Sequence, residues 1–238
     1  MRVCVFGRNA EEILPEVKKF GLEVVKTKPE VVISYGGDGT LLGAERKFPG
    51  IPKLPVRENR LSKKCASHKN EVVFDLLIRN KLQPTQFNKI EAKLRDKRLV
   101  GLNDIIVHHT RITSGVRYRI WIDGKPYSHE IVGDGLVMAS AFGATGYYRS
   151  ITHSLFRTGL GLAFNNSTEP VDHLVLRDDS VVRVRITRGP ALLAADNDLE
   201  TLEVAEGDEI LIQKSAQQAV ILAFDALRCS ACRKIPDG

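Results

Sequence analysis

The sequence predicts an α/β domain over residues 1–85, then an all-β domain, antiparallel and sandwich-like, over 86–225, and a C-terminal tail over 226–238. Three observations carry this reading. Strand-like and helix-like segments alternate near the N-terminus, and β-rich segments follow one another from residue 88 onward. Between the two patterns lies a proline-rich, basic stretch over 49–64. The 238 residues suffice for one large or two small domains, and 43% hydrophobic with 27% charged residues is the balance of a globular chain with a sizeable core.

Residues 2–6 read as a strand, and 10–20 as a helix with Ile13, Leu14 and Val17 on one face. A short strand follows over 22–25. The run Val31-Val32-Ile33-Ser34-Tyr35 fits a buried strand, because β-branched side chains pack well on an enclosed pleat. It feeds Gly36-Gly37-Asp38-Gly39-Thr40, with Thr40 the expected N-cap of a helix over 41–46 and Gly43 a weak point in it. This start is Rossmann-like, although no G-x-G-x-x-G is present. A helix is expected within 66–82, with Val72, Val73, Leu76 and Leu77 as its apolar face.

The β segments fall at 90–95, 97–100, 104–108, 116–123, 135–140, 181–187 and 209–213. Asp123-Gly124 signals a hairpin, and residues 202–210 read as another strand–turn–strand. Residues 219–224 form a last strand-like stretch compatible with either domain.

Composition narrows the function. No apolar run approaches the ~20 residues of a membrane span, and the first residues lack the pattern of a signal peptide, so a cytoplasmic location is expected. The net charge of +6 is dispersed, without a nucleic-acid-binding motif, and suits polyanionic small molecules such as nucleotides. Cys229 and Cys232 form a C-x-x-C, which reads first as two ordinary thiols and otherwise as a redox pair or half of a zinc site completed by another subunit, while Cys65 has no close partner in sequence. Adjacent His108 and His109 are expected on opposite faces of a strand, and no protein side chain is assigned as a metal ligand. Neither a G-x-S-x-G elbow nor a Walker A motif occurs.

The candidate chemistry centres on residues 36–40. Glycines after a buried strand let the backbone approach a ligand, and exposed N–H groups ahead of a helix attract anions. A carboxylate in that position, Asp38, suits metal binding or acceptance of a proton from an attacking hydroxyl; capping a turn is its plain structural use. A second polar, glycine-rich cluster spans 133–150, and Asn103-Asp104 sits at a strand entrance, where it could grip a ribose diol or simply form an Asx turn.

Gly36-Gly37-Asp38-Gly39-Thr40, Leu102-Asn103-Asp104, Asp134-Gly135-Leu136 and Gly143-Ala144-Thr145-Gly146-Tyr147 resemble, in that order, the motifs of NAD kinases, within a superfamily that includes diacylglycerol kinases, sphingosine kinases and phosphofructokinases. Residues 173–180 and Ala195-Asp196 extend the resemblance, which runs from about residue 30 to 225. It implies phosphorylation of the adenosine-ribose 2′-hydroxyl of NAD, with ATP or polyphosphate as donor, Mg2+ accompanying ATP, and a homodimer or homotetramer. It also implies roles. Asp38 would accept the hydroxyl proton, and Gly36, Gly37, Gly39 and Thr40 would cradle phosphates. Asn103 and Asp104 would hold ribose and adenine groups, and Asp134, Thr145, Gly146, Tyr147 and Ser150 would line the dinucleotide site. Asp196 would approach NAD bound mainly by a neighbouring subunit.

The sequence departs from the resembled pattern at Asp104 (usually Glu), at Ala141-Phe142 (usually Pro-Thr) and at Gly146 (usually Ala). It departs most over 55–64, where the family has a Gly- and Asn-containing loop ending in an aromatic. Here Asn59 is suited to a left-handed turn, Leu61 is kept, and Lys63 falls near the aromatic position. Two other readings stand beside NAD kinase: a superfamily kinase for another hydroxyl acceptor such as a nucleoside, sugar or lipid, and a non-catalytic nucleotide-binding protein.

Overall fold

The computed structural model describes residues 1–58, 62–127, 129–229 and 231–234. Asn59, Arg60 and Leu61, and the side chain of Lys63, lie outside the described residues. The chain divides into two units, Met1–Phe87 with Ala219–Gly238, and Asn88–Gln218.

The first unit contains β1 (Arg2–Phe6), α1 (Leu14–Lys19), β2 (Glu23–Val24), β3 (Val31–Tyr35), α2 (Asp38–Lys47), β4 (Lys53–Val56), β5 (Ser62–Lys63) and α3 (Asn70–Ile78). Its strands pair in parallel in the order β2-β1-β3-β4, and Ile221 joins β4 opposite Lys53. The strand alternation sorts side chains to two faces. Val3, Val31, Ile33, Leu54 and Val56 pack with Ile13, Val17, Val73, Phe74 and Leu77, from α1, the turn before it and α3. Cys4 and Val32 pack on the other face against Ala44 of α2. The sheet is therefore covered on both sides, as parallel sheets require.

Two helices differ from expectation. The 10–20 segment is a 3-10 turn over Ala10–Ile13 followed by α1, with Pro15 in its first turn, where a missing N–H costs nothing. In α3 the inward face is Val73, Phe74 and Leu77, and Val72 is exposed; Phe74 is fully buried and anchors the helix. Truncating it to alanine would cost about 3–5 kcal/mol. Glu45 of α2 and Lys53 of β4 form a buried ion pair that ties the helix to the sheet.

The second unit runs from within β6 (Pro84–Leu94) through β7 (Lys97–Gly101), β8 (Asp104–His109), β9 (Val116–Ile122), β10 (Lys125–Pro126), β11 (Ile131–Gly133) and β12 (Gly135–Ala139). It continues with α4 (Tyr147–Thr152), β13 (Leu160–Asn165), β14 (His173–Leu176), β15 (Val182–Arg188), β16 (Ala191–Ala195), β17 (Leu202–Val204) and the start of β18 (Glu209–Leu222). One sheet has the order β14-β13-β12-β8-β16-β17, every pair antiparallel. In the other, β9 and β18 flank β15, again antiparallel.

Ile105, Val107, Leu136, Met138 and Leu162 of the first sheet share one core with Tyr118, Ile120, Val184, Ile210 and Ile212 of the second, a sandwich packing. Val137 and Ala139, alternating with Leu136 and Met138, face Tyr148 of α4 instead. The Asp123-Gly124 hairpin forms, with φ of +51° and +79° at the two turn residues. The 202–210 strands do not pair with each other: β17 joins β16, whereas β18 joins β15. The last described elements are α5 (Phe224–Arg228) and β19 (Arg233–Lys234), which pairs with β5 in the first unit.

Candidate active site

In the first unit, β2 and β3 lie on opposite sides of β1, so the order in which strands are added to the sheet switches sides at β1 and β3. Ligands of open α/β sheets bind at the carboxyl ends of strands at such a switch point. Gly7 follows β1 there and Gly36 follows β3. Gly7 has φ of +156°, and a Cβ on it would lie 2.1 Å from the Tyr35 carbonyl oxygen. A Cβ on Gly36 would lie 2.3 Å from Thr40 Oγ1. Only glycine lets these turns close together. The opening beside them is lined by Phe6, Gly7, Arg8, Gly39, Thr40 and Lys47, and three of these present cationic or hydroxyl groups suited to an anion.

Helix α2 starts one turn earlier than the sequence suggests. Gly37 is its N-cap in extended conformation, Asp38 is its first residue, and Thr40 lies inside the first turn. The Leu41 N–H donates to the Gly37 carbonyl at 3.2 Å, so capping falls to a glycine and the Asp38 carboxylate is left to project from the helix start. Its side chain is 57% exposed, and Arg57 Nη2 stands 3.6 Å from its Oδ1. Arg57 also donates to the Leu227 carbonyl at 3.1 Å, which fixes the guanidinium.

In the second unit a remote carboxylate organises the Asn103-Asp104 turn. Asp196 accepts the backbone N–H groups of Leu102, Asn103 and Asp104 at 2.8, 2.6 and 3.2 Å. The 140–147 segment presses on the same turn. The Ser140 N–H donates to the Asn103 carbonyl at 2.8 Å, the Ser140 hydroxyl to the Leu102 carbonyl at 2.5 Å, and a Cβ on Gly143 would lie 2.1 Å from the Asn103 oxygen.

Asp104 is 3% exposed; burial, and then the neighbouring Asp196 charge, push its carboxyl up to about 7. Asn103 Nδ2 and Asp104 Oδ2 lie 3.4 and 4.0 Å from where a Gly146 Cβ would be. The Tyr147 hydroxyl accepts from Asn165 Nδ2 at 3.0 Å, and burial, then Asp134 and Asp104, raise its pKa. Asp134 accepts from Asn166 at 3.3 Å, with His109 Nε2 at 3.5 Å. Thr145 is exposed, and the Ser150 hydroxyl turns back onto the Tyr147 carbonyl at 2.7 Å.

No family model matches the sequence. An NAD kinase of Chloroflexus aggregans is 28% identical over 219 residues, covering 84% of this chain and 76% of its own. Among solved structures, an NAD kinase from Archaeoglobus fulgidus in complex with ATP superposes with a TM-score of 0.78 at 20% identity, covering 97% of both chains. The chain has the NAD kinase fold. Yeast NADH kinase complexed with NADH likewise superposes with a TM-score of 0.79 at 15% identity, covering 97% of this chain and 87% of its own.

Set in that fold, Asp38 and its glycines belong to the first unit, and Asn103, Asp104, Asp134, Thr145, Gly146, Tyr147, Ser150 and Asp196 to the second. Neither Gly7 nor Arg57 is a site residue on the sequence reading: no glycines follow Gly7, and Arg57 lies in the 55–64 stretch, read as a connection that departs from the resembled loop. His108 and His109 do not face opposite ways. Their rings stack at 4.4 Å, at the strand's end, where His108 Nδ1 bonds the His109 carbonyl. Cys65 does have partners: its sulfur, His68 Nδ1 and the sulfurs of Cys229 and Cys232 all lie within 4.8 Å of one another. The missed signal was the second C-x-x spacing, Cys65-Ala66-Ser67-His68.

Proposed function

We propose that the protein is an NAD kinase, transferring the γ-phosphoryl group of ATP to the adenosine-ribose 2′-hydroxyl of NAD to give NADP. The observation that carries this reading is the Asp38 carboxylate, exposed at the first residue of α2, at the switch point and beside Arg57. Phosphoryl transfer asks the protein for positioning and charge neutralisation more than covalent chemistry. Asp38 accepts the proton of the attacking hydroxyl. Gly36, Gly37, Gly39 and Thr40 present backbone N–H groups and a hydroxyl to phosphates, while Arg57 offsets charge near the carboxylate.

Asn103 and Asp104 hold the ribose and adenine groups. With a pKa near 7, Asp104 can donate as well as accept. Asp134, Thr145, Gly146, Tyr147 and Ser150 line the dinucleotide site. Mg2+ accompanies ATP and is held chiefly by its phosphates; the exposed Asp38 carboxylate is the hard oxygen donor of the turn that fits such an ion, which would offset developing charge. Assembly as a homodimer or homotetramer and a cytoplasmic location complete the proposal. Among the described residues no helix is long and apolar enough to cross a membrane.

The test is incubation with ATP, Mg2+ and a panel of NAD, NADH, nucleosides, sugars and diacylglycerol, followed by mass analysis. A phosphorylated NAD is the expected product. Phosphorylation of another acceptor with NAD untouched would replace this reading by a superfamily kinase of different specificity, and nucleotide binding without any product by a non-catalytic binder.

A further inference from the structure

Cys65, His68, Cys229 and Cys232 belong to the first unit and play no part in the chemistry above. We infer that they form a structural zinc site that fastens the 62–69 segment to the C-terminal segment after α5. Zinc with thiolate and imidazole ligands is tetrahedral, with Zn–S near 2.3 Å and Zn–N near 2.0–2.1 Å. A regular tetrahedron of those bonds has S–S edges of about 3.8 Å and S–N edges of about 3.5 Å. Here the Cys65 sulfur lies 3.9 Å from that of Cys229 and 3.6 Å from that of Cys232. His68 Nδ1 lies 3.1 Å from the Cys65 sulfur and 3.3 Å from the Cys232 sulfur. These four separations are close to the edges one ion requires, and all four donors lie within 4.8 Å of one another.

The backbone supports the same reading. Each ligand pair sits on a single turn closed by an i+3 bond: the His68 N–H donates to the Cys65 carbonyl at 3.1 Å, and the Cys232 N–H to the Cys229 carbonyl at 3.2 Å. These are two matching knuckles, C-x-x-H and C-x-x-C. The Cys65 N–H points at the Cys232 sulfur at 3.5 Å, where it would stabilise a thiolate. His68 Nε2 lies 3.1 Å from Asp225 Oδ2. A proton on Nε2, donated to that carboxylate, leaves the Nδ1 lone pair for the metal, the usual outer-shell arrangement of a ligating histidine. Three thiolates on a divalent ion carry one net negative charge, and Lys64 is near enough to Cys232 to feel it. Binding releases the three thiol protons to solvent.

The site closes the region where the sequence departs most from the NAD kinase pattern. β5 pairs with β19 immediately outside the two knuckles, Ser62 with Lys234 and Lys63 with Arg233. α5, which carries Asp225, also supplies the Leu227 carbonyl that holds Arg57. Zinc would thus anchor the C-terminal end of a stretch whose Arg57 reaches Asp38.

The test starts from the full-length protein purified after growth in zinc-supplemented medium. Elemental analysis should find one zinc per chain, and exchange for Co2+ should give the intense visible bands of a tetrahedral ion with thiolate ligands. Cys65→Ser, Cys229→Ser and Cys232→Ser should each lose the metal, Cys4→Ser should keep it, and Asp225→Asn should weaken binding roughly 10–100-fold. If a serine variant fails to fold, the cobalt spectrum of the unaltered chain still decides. Zinc-free protein that gives only the weak spectrum of octahedral Co2+, or a disulfide among Cys65, Cys229 and Cys232 found by mass, would overturn the inference.

Discussion

Asp38 and Asp104 are the two carboxylates on which the proposed chemistry depends, and the fold treats them in opposite ways. Asp38 stands more than half exposed at a helix start, with a guanidinium 3.6 Å away. Asp104 is buried at a strand start beside a second carboxylate, which holds its proton up to about pH 7. An open carboxylate at a helix start is within reach of a ligand's hydroxyl. A buried one that keeps its proton recognises a ligand through a defined donor and acceptor. The difference arises from what surrounds them: Arg57 and a glycine N-cap in the first case, the Asp196-capped turn in the second.

The contrast can be broken at four points. The largest effect is expected at Asp38, where asparagine should lower turnover roughly 10²–10⁴-fold, the worth of a lost general base, without changing thermal stability. Next is Asp196→Ala, which strips the acceptor from three backbone N–H groups and should cost on the order of 2–3 kcal/mol in denaturant unfolding.

Asp104→Asn should act in the other direction. The native carboxyl holds its proton to about pH 7 while the unfolded one releases it near 3.8, so across that window the folded state binds more protons and stability falls as pH rises. The asparagine variant should lose that slope and be more stable above pH 7, by on the order of 1–2 kcal/mol, while binding NAD more weakly. Urea melts at pH 5 and pH 8 read both. The smallest effect is expected for Gly146→Ala. Its Cβ would meet the Gly143 carbonyl at 3.2 Å and side chains only at 3.4 Å and beyond, so stability should change by no more than about 0.5 kcal/mol.

Asp38 was legible in the sequence because its signal is contiguous: a buried β-branched run, three glycines and a carboxylate within ten residues. The surroundings of Asp104 were only half legible. Asn103-Asp104 and 133–150 stood out as polar clusters, but the cap that shapes the turn comes from Asp196, 92 residues away from Asp104. Local pattern carries no trace of such a bond. The same reason hid the cysteine partners of Cys65, which lie 164 and 167 positions along the chain. It also left the destination of residues 219–224 open until Ile221 paired with Lys53. The helix start was misplaced by three residues because Thr40 is the better N-cap by side chain, whereas the close approach of Gly36 to Thr40 puts the cap at Gly37.

The central claim is that Asp38 takes the proton of the NAD hydroxyl rather than merely shaping the turn. The direct measurement is to compare the unaltered chain with Asp38→Asn for NAD and ATP binding by calorimetry and for NADP formation in the same buffer. Binding retained with NADP formation lost is the predicted result; an Asp38→Asn protein that makes NADP at the unaltered rate would contradict it.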